Sequence, residues 1–287
     1  MTQDPMRAAP VPEPAATRAL RDAARRHETP NGAGRMVWHG WGDPAAAPLV
    51  LLHGGAGSWR HWVRNIADLA REFHVLAGDV PGLGESGTPP EPHTAERVSG
   101  IIADGIAALL GTTRYHLAGF SFGGVMAGCV AARHGGQVRT VSIAGSGGLG
   151  LARGITPLMK VRHLEGAARV AAHRHNLAAL MIADPAKIDA AALEIQDWNT
   201  RHARLRTPLI SRSPALYEAL GAIRAPLAGI YGACDATCLP DLAARATVFR
   251  ERQPGATFEV IEGAGHWVQY EAADAYAAAL RRSLARG

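Results

Sequence analysis

The chain has 287 residues, of which 47% are hydrophobic and 19% charged, a composition typical of a folded globular protein and not of a disordered or fibrous one. Its net charge of +5 comes without any stretch of alternating basic and aromatic residues, so no nucleic-acid partner is expected. No run of 18 apolar residues predicts a membrane span. Three cysteines make no disulfide framework, and the N-terminus lacks a signal-peptide pattern. We therefore expect a cytoplasmic protein.

The N-terminal third of the chain predicts a tail and then the first strands of a sheet. Residues 1–16 are rich in Ala and Pro and are predicted to be a disordered tail, and residues 17–27 a short basic helix. Residues 35–41 predict a strand, and the apolar run 48–53 predicts a parallel strand covered on both faces. That strand leads into a glycine loop, residues 53–58, whose backbone N–H groups are free to face a ligand. The loop lacks the signatures of nucleotide-binding loops, so no nucleotide cofactor is expected.

Strands and helices alternate along the remainder of the chain, except in one long insertion. The later predicted strands span residues 73–78, 114–120, 138–144, 225–231 and 257–261. The helices predicted beside them cover residues 59–71, 94–110, 125–134, 239–252 and 271–284. This alternation predicts an α/β fold with a mostly parallel, doubly wound sheet built from residues 17–144 and 217–287.

The insertion, residues 145–216, has helical patterns and no clear strand. The predicted helices lie around residues 157–164, 167–182, 185–205 and 213–223. We expect this segment to form a helical cap over the carboxyl ends of the strands, where open α/β sheets bind ligands.

A nucleophile elbow is predicted at Gly119-Phe120-Ser121-Phe122-Gly123, because a strand precedes this Gly-x-Ser-x-Gly sequence and a helix follows it. So sharp a turn brings the residues two before and two after the serine together, which glycine allows because it has no Cβ. The helix N-terminus behind the serine favours negative charge there. A glycine-rich turn into a buried helix is the alternative interpretation.

Asp235 and His266 each follow a later predicted strand, so their side chains can converge on Ser121 at one edge of the sheet. A serine hydroxyl needs a base to remove its proton, and an imidazole can take that proton and later return it to the leaving group. Asp235 would orient the imidazole and stabilise its cation. Taken singly, His266 could be a loop histidine and Asp235 a turn residue.

Two backbone N–H groups, those of Gly55 and Phe122, are predicted to bind the oxyanion of the reaction. The predicted pocket residues either adjoin these donors or are large aromatic residues near the site; they are His53, Gly54, Phe120, Trp198 and Trp267. For the two tryptophans, apolar packing is an equal alternative. No metal site is predicted, since Cys234 and Cys238 have no nearby His or Cys to complete a ligand set.

The glycine loop, the elbow, the turn Asp79-x-Pro81-Gly82-x-Gly84 and the loops of Asp235 and His266 together resemble the α/β-hydrolase superfamily over residues 35–284. The resemblance implies the α/β-hydrolase fold and catalysis without a cofactor. Within the superfamily the sequence is similar to the meta-cleavage-product hydrolases, which cut carbon–carbon bonds. It departs from that branch at Phe120 and at His61, where the branch carries asparagine.

The sequence therefore predicts a serine hydrolase that cleaves a small carboxylic ester or similar acyl substrate through an acyl-enzyme. One alternative is carbon–carbon hydrolysis of a 2-hydroxy-6-oxo-dienoate. Another is a non-catalytic ligand-binding protein on the same fold. The expected partner is a small acyl molecule, and a homo-oligomer is left open.

Overall fold

A computed structural model describes residues 11–287, so the first ten residues of the predicted tail lie outside the described residues. Helix α1 (Ala15–Asp22) begins within the remainder of that tail. The helix predicted over residues 17–27 is wrong in its second half, because Arg25–Asn31 form an edge strand, β1. This strand pairs antiparallel with residues 34–40, so its backbone groups are satisfied by the hairpin and not by a helix.

A single eight-stranded sheet organises the described residues. In chain order its strands are β1, β2 (Gly34–Trp41), β3 (Pro48–Leu52), β4 (His74–Gly78), β5 (Tyr115–Phe120), β6 (Val138–Ala144), β7 (Leu227–Gly232) and β8 (Thr257–Ile261). Their order across the sheet is β1-β2-β4-β3-β5-β6-β7-β8. β2 is antiparallel to both of its neighbours and the remaining pairs are parallel, so the predicted mostly parallel sheet is confirmed.

Helices cover both faces of this sheet. After α1 they are α2 (Ile66–Leu69), α3 (Ala95–Leu110), α4 (Phe122–His134), α5 (Gly166–Asn176), α6 (Ala190–Arg201), α7 (Pro208–Ser211), α8 (Ala215–Leu220), α9 (Ala243–Arg252), α10 (Val268–Glu271) and α11 (Ala273–Leu284). The sequence of strand β3 is apolar throughout because both faces of the strand are buried. Val50 and Leu52 belong to one core cluster, and Leu49 and Leu51 belong to the other. No helix among the described residues is both long enough and apolar enough to span a bilayer.

The segment between β6 and β7 contains helices and short turns but no strand. The helix predicted around residues 157–164 is wrong, because the chain there forms a loop. The side chain of Asn176 accepts the N–H of Met159 at 2.7 Å and donates to the carbonyl of Met159 at 2.9 Å, which occupies groups that a helix would use. Near the other end, Leu216 of α8 fills the space beside Gly128 of α4. The chain has thus rejoined the layer of α4 at α8.

Candidate active site

Ser121 occupies a strained turn between β5 and α4. Its φ of 52° and ψ of −117° lie in a region that side-chain-bearing residues rarely adopt. A Cβ on Gly119 would lie 2.3 Å from the carbonyl oxygen of Gly123, and a Cβ on Gly123 would lie 2.2 Å from that of Leu52. The backbone segments therefore approach one another so closely that only glycine fits at positions 119 and 123. This geometry is that of the predicted elbow.

The structure brings Ser121, His266 and Asp235 into one hydrogen-bonded chain. Ser121 Oγ lies 3.0 Å from Nε2 of His266, and Nδ1 of His266 lies 2.9 Å from Oδ2 of Asp235. Asp235 follows β7 and His266 follows β8, while Ser121 follows β5. The carboxyl ends of these parallel strands meet at one edge of the sheet, which explains how residues far apart in sequence come together.

Asp235 is buried, and its surroundings hold it as a carboxylate. Burial alone would raise its pKa, but the charge of His266 and hydrogen bonds from His266 and Thr237 outweigh that effect, and the pKa lies below its ordinary value. The backbone N–H and the hydroxyl of Thr237 each donate to Oδ1 at 2.8 Å. Thr237 was not singled out from the sequence, although the Asp-x-Thr spacing is typical of a side chain that caps its own turn.

The N–H groups of Gly55 and Phe122 have no acceptor within residues 11–287. Both residues line the cleft in which Ser121 lies. Phe122 is the first residue of α4, where a helix leaves its N–H groups unpaired. The two predicted oxyanion donors thus have no protein acceptor in this range and belong to residues that line the same cleft as Ser121.

His53 holds the loop that carries Gly55. Its Nδ1 lies 2.8 Å from the carbonyl oxygen of Gly54, and its Nε2 accepts the N–H of Val80 at 2.8 Å. Because Nε2 accepts, the ring proton lies on Nδ1 and is donated to Gly54; burial lowers the pKa of His53 to about 4 and keeps the ring neutral. In a trans peptide the Gly54 carbonyl and the Gly55 N–H point in opposite directions, so His53 fixes the direction of the Gly55 donor.

His61 contacts the other end of the same loop. Its Nδ1 accepts the N–H of Gly54 at 3.2 Å, which places the ring proton on Nε2. Burial lowers the pKa of His61 well below its ordinary value. His61 lines the cleft as a neutral ring, and its Nε2–H has no acceptor among residues 11–287.

The cleft has a volume of about 800 Å³ and lies between the sheet edge and the segment 145–216. Of the predicted pocket residues, Gly54 and Phe120 line it. His53, Trp198 and Trp267 are not among its lining residues.

The two tryptophans are used in packing. Trp267 is fully buried, and its indole N–H donates to the carbonyl of His61 at 2.9 Å. Trp198 stacks on His202 at a centroid distance of 3.8 Å and lies beneath the guanidinium of Arg60. Their assignment to the pocket is therefore corrected, since each ring already has partners within the protein.

Glu271 connects the segment between β6 and β7 to the loop of His266. Its carboxylate accepts the N–H groups of Gly265 at 2.7 Å, Ala183 at 2.9 Å and Asp184 at 2.8 Å. Gly265 directly precedes His266, whereas the other two residues belong to the segment between β6 and β7. The sequence gives no local signal for this role, because the three donors come from distant parts of the chain.

One group of three potential metal ligands occurs among the described residues, formed by His39, Asp79 and Glu85. It contains none of the residues of the Ser121 cluster. Asp79 already accepts the N–H groups of Trp59 at 2.7 Å and Glu85 at 2.8 Å, so its carboxylate holds the neighbouring loops.

Comparison with known proteins identifies a family and several relatives of this chain. A family model described as the alpha/beta hydrolase family matches residues 49–279. A relative from Pseudomonas putida, named the dihydrolipoyllysine-residue acetyltransferase component of the acetoin cleaving system, is 30% identical over 84% of this chain. The chain spans 64% of that protein's length. A 2-hydroxy-6-oxononadienedioate/2-hydroxy-6-oxononatrienedioate hydrolase from Paraburkholderia phymatum is 25% identical over 88% of each chain.

Solved structures share the fold. An esterase from a Rhodococcus species superposes with a TM-score of 0.77 at 24% identity, over 92% of this chain and 98% of its own. A carboxylesterase from Bacillus subtilis gives a TM-score of 0.77 at 20% identity, over 95% of this chain and 96% of its own. At these identities the likeness extends to the architecture.

Proposed function

Since the chain belongs to the alpha/beta hydrolase family, we propose that it is a serine hydrolase acting on a small carboxylic ester or a similar acyl substrate. The observation that carries the proposal is the continuous contact from Ser121 Oγ through His266 to Asp235, at 3.0 Å and 2.9 Å. Ser121 lines a cleft large enough for a small molecule. Family membership supports hydrolysis in general, and the choice of bond and substrate belongs to the proposal.

The reaction proceeds in two steps. In the first, His266 Nε2 takes the hydroxyl proton of Ser121 as Oγ attacks the ester carbonyl carbon, and Asp235 stabilises the imidazolium. The N–H groups of Gly55 and Phe122 stabilise the oxyanion. The C–O bond to the alcohol then breaks and His266 gives its proton to the leaving oxygen. In the second step His266 takes a proton from water, whose oxygen attacks the acyl carbon. The bond from that carbon to Ser121 Oγ then breaks, His266 returns the proton to Oγ, and the acid is released.

The proposal also covers the cap, the cofactor requirement and the location of the protein. Residues 145–216 act as the cap that covers the cleft, and the chemistry requires no cofactor or metal. All three cysteines are free, which supports a reducing compartment and a cytoplasmic location.

Replacing the nucleophile tests the proposal. Ser121→Ala should lower kcat for 4-nitrophenyl butyrate by at least about 10⁴-fold, because removal of a serine nucleophile abolishes the covalent route. Ser213→Ala, which lies outside the cleft, serves as the matched control. A fluorophosphonate probe should label wild type and not Ser121→Ala. Comparable turnover in wild type and Ser121→Ala would contradict the proposal, and an unlabelled, inactive wild type would favour a non-catalytic ligand-binding protein.

A second candidate is carbon–carbon hydrolysis of a meta-cleavage product. It is favoured by the relative from Paraburkholderia phymatum, which aligns over most of both chains and is named for such a substrate. We expect the ester to be preferred, because Phe120 and His61 stand where that branch carries asparagine. Assaying a 2-hydroxy-6-oxo-dienoate beside 4-nitrophenyl butyrate decides the matter: a kcat/KM ratio of more than about 100 in either direction assigns the reaction.

A further inference from the structure

The cleft is lined by positively charged residues. Four arginines line it, Arg153, Arg162, Arg212 and Arg245, and no aspartate or glutamate is among its lining residues in the part of the chain that the structure describes. A cleft with walls of one charge attracts ligands of the opposite charge and raises their local concentration. The question is which of these cations are free to bind a ligand.

Two of the four arginines donate hydrogen bonds to main-chain carbonyl oxygens of the protein. Arg245 is buried and donates to three main-chain carbonyl oxygens. Arg162 donates to the carbonyl of Ala203 at 3.2 Å. Arg153 and Arg212, by contrast, make no hydrogen bond or ion pair with any residue in 11–287, and both are exposed residues that line the cleft. Among the described residues, the cleft arginines whose guanidinium groups have no protein partner are therefore Arg153 and Arg212.

Arg153 is also held close to the catalytic loop. The carbonyl of the preceding residue, Ala152, accepts a hydrogen bond from Arg245, and the N–H of the following residue, Gly154, donates to the carbonyl of Thr237 at 3.3 Å. Gly154 approaches this loop so closely that a Cβ there would collide with the main chain. The backbone on both sides of Arg153 is thus fixed against the loop that carries the catalytic aspartate.

The charges around Arg153 act in both directions. Burial lowers its pKa, the charge of Asp235 raises it, and the charges of Arg212 and Arg245 lower it. An arginine nevertheless stays protonated in this environment. The oxygens of Asp235 already accept hydrogen bonds from its neighbours, so they are not free to pair with Arg153.

We propose that Arg153 and Arg212 form an anion-binding subsite and that the substrate is an ester carrying a carboxylate in addition to its scissile bond. This proposal rests on the proposed serine hydrolase function. A guanidinium group matches a carboxylate with two parallel N–H donors, and an anion between the two arginines would relieve their mutual repulsion. The subsite lies in the same cleft as Ser121, so one molecule can reach both.

Two matched pairs of esters test the proposal and locate the charge. Mono-4-nitrophenyl adipate and 4-nitrophenyl hexanoate differ by a carboxylate on the acyl side. 4-Carboxyphenyl butyrate and phenyl butyrate differ by a carboxylate on the alcohol side. The wild type should prefer the anionic member of at least one pair by roughly 10- to 100-fold in kcat/KM, as expected for a charge-assisted contact.

The preference should depend on the two arginines. Arg153→Met and Arg212→Met should each lower kcat/KM for the preferred anionic ester by roughly 10-fold or more, leave the neutral ester within about twofold, and act together in the double variant. Arg153→Lys should retain part of the preference because it keeps the charge. Arg250→Met, an exposed residue of α9 outside the cleft, is the control. Equal rates for both members of both pairs, or a preference that survives in the double variant, would overturn the proposal.

Two further measurements separate the possible failures. Free adipate should bind the wild type and lose at least about 10-fold in affinity in the double variant when measured by calorimetry, a readout that needs no turnover. Unchanged adipate affinity would count against the subsite. Hydrolysis that requires Ser121 but shows no charge preference would refute only this inference, whereas hydrolysis that persists in Ser121→Ala would refute the proposed function.

Discussion

The sheet edge that carries Ser121, Asp235 and His266 differs from the cap loop of residues 150–164 in how its polar groups are satisfied. At the sheet edge the three side chains contact one another at 3.0 Å and 2.9 Å. In the cap loop Arg153 has no partner among the described residues, and Ile155 is 96% exposed. The three side chains at the sheet edge pair with one another, whereas the side chain of Arg153 has no protein partner in residues 11–287.

This difference separates two tasks. Groups that carry out the reaction must be fixed before the substrate arrives, because reorganising them during the reaction would raise its barrier. Groups that choose the substrate can remain unpaired, because their partner is the substrate itself. Substitutions at the sheet edge should therefore reduce the rate for every ester, whereas substitutions in the cap loop should change which ester is preferred.

The largest expected effect at the sheet edge comes from Asp235→Asn. An amide cannot stabilise the imidazolium of His266 and favours the wrong ring tautomer, so kcat should fall by about 10⁴-fold for all esters. Steady-state kinetics on 4-nitrophenyl butyrate measure the loss, and circular dichroism verifies that the fold is kept. Asp274→Asn, an exposed position of α11, should have no effect. A variant that kept more than a tenth of the wild-type kcat would break the distinction between the two regions.

Removing one oxyanion donor should have a smaller effect. Gly55→Pro lacks the N–H and should lower kcat by roughly 10²- to 10³-fold without a preference among esters. A Cβ at this position would lie 2.6 Å from Oγ1 of Thr207, so the variant is best made in a Thr207→Ala background. Gly55→Ala in that background keeps the N–H and serves as the control. If both double variants lost activity equally, the loss would be steric and the donor role of Gly55 would be wrong.

Glu271 joins the two regions, and its replacement should affect stability more than chemistry. Glu271→Ala leaves the N–H groups of Gly265, Ala183 and Asp184 without their acceptor, and each donor that stays buried costs about 1–3 kcal/mol. Urea denaturation should show a lower free energy of unfolding. Glu271→Gln keeps one acceptor oxygen and should lie between Ala and wild type. Unfolding curves that coincide for all three proteins would show that this connection carries no stability.

The smallest expected effect is confined to the cap and to acidic pH. Burial would raise the pKa of Asp197, but hydrogen bonds from His173, Arg169 and Arg201 hold it well below its ordinary value. Because the folded carboxyl binds a proton less readily than the unfolded one, its stabilising contribution is present above a pH of about 4 and is lost as the pH falls further. The melting temperature of Asp197→Asn should therefore decline less steeply than that of wild type below about pH 4. Parallel declines would contradict this assignment.

The sequence predicts the sheet and the elbow well because their signals are local. The apolar run 48–53 can be satisfied only by burial on both faces, and the spacing of Gly119, Ser121 and Gly123 reflects a steric requirement within five residues. Strand β1 gave no such signal, because its residues are mostly polar and its backbone is satisfied only by pairing with β2.

The cap and the pocket walls were harder to predict because contacts distant in sequence determine them. The loop around Met159 is held by the side chain of Asn176, and without that contact its composition resembles a helix. Trp267 was predicted to line the pocket because it is a large aromatic residue near the site, but its indole N–H donates to the carbonyl of His61. Arg153 has no hydrogen-bond or ion-pair partner in residues 11–287. The sequence alone could not reveal this, because it does not show which residues surround Arg153 in the fold.

The close backbone crossing at Gly119 and Gly123 has a consequence for how this site can diversify. The crossing excludes any side chain at positions 119 and 123, whereas residue 121 between them carries one in spite of its strained backbone. A cysteine or an aspartate at position 121 would inherit the same exposed position. New chemistries can therefore arise by exchanging that single residue, while the glycines on either side stay unchanged in every descendant that keeps the turn.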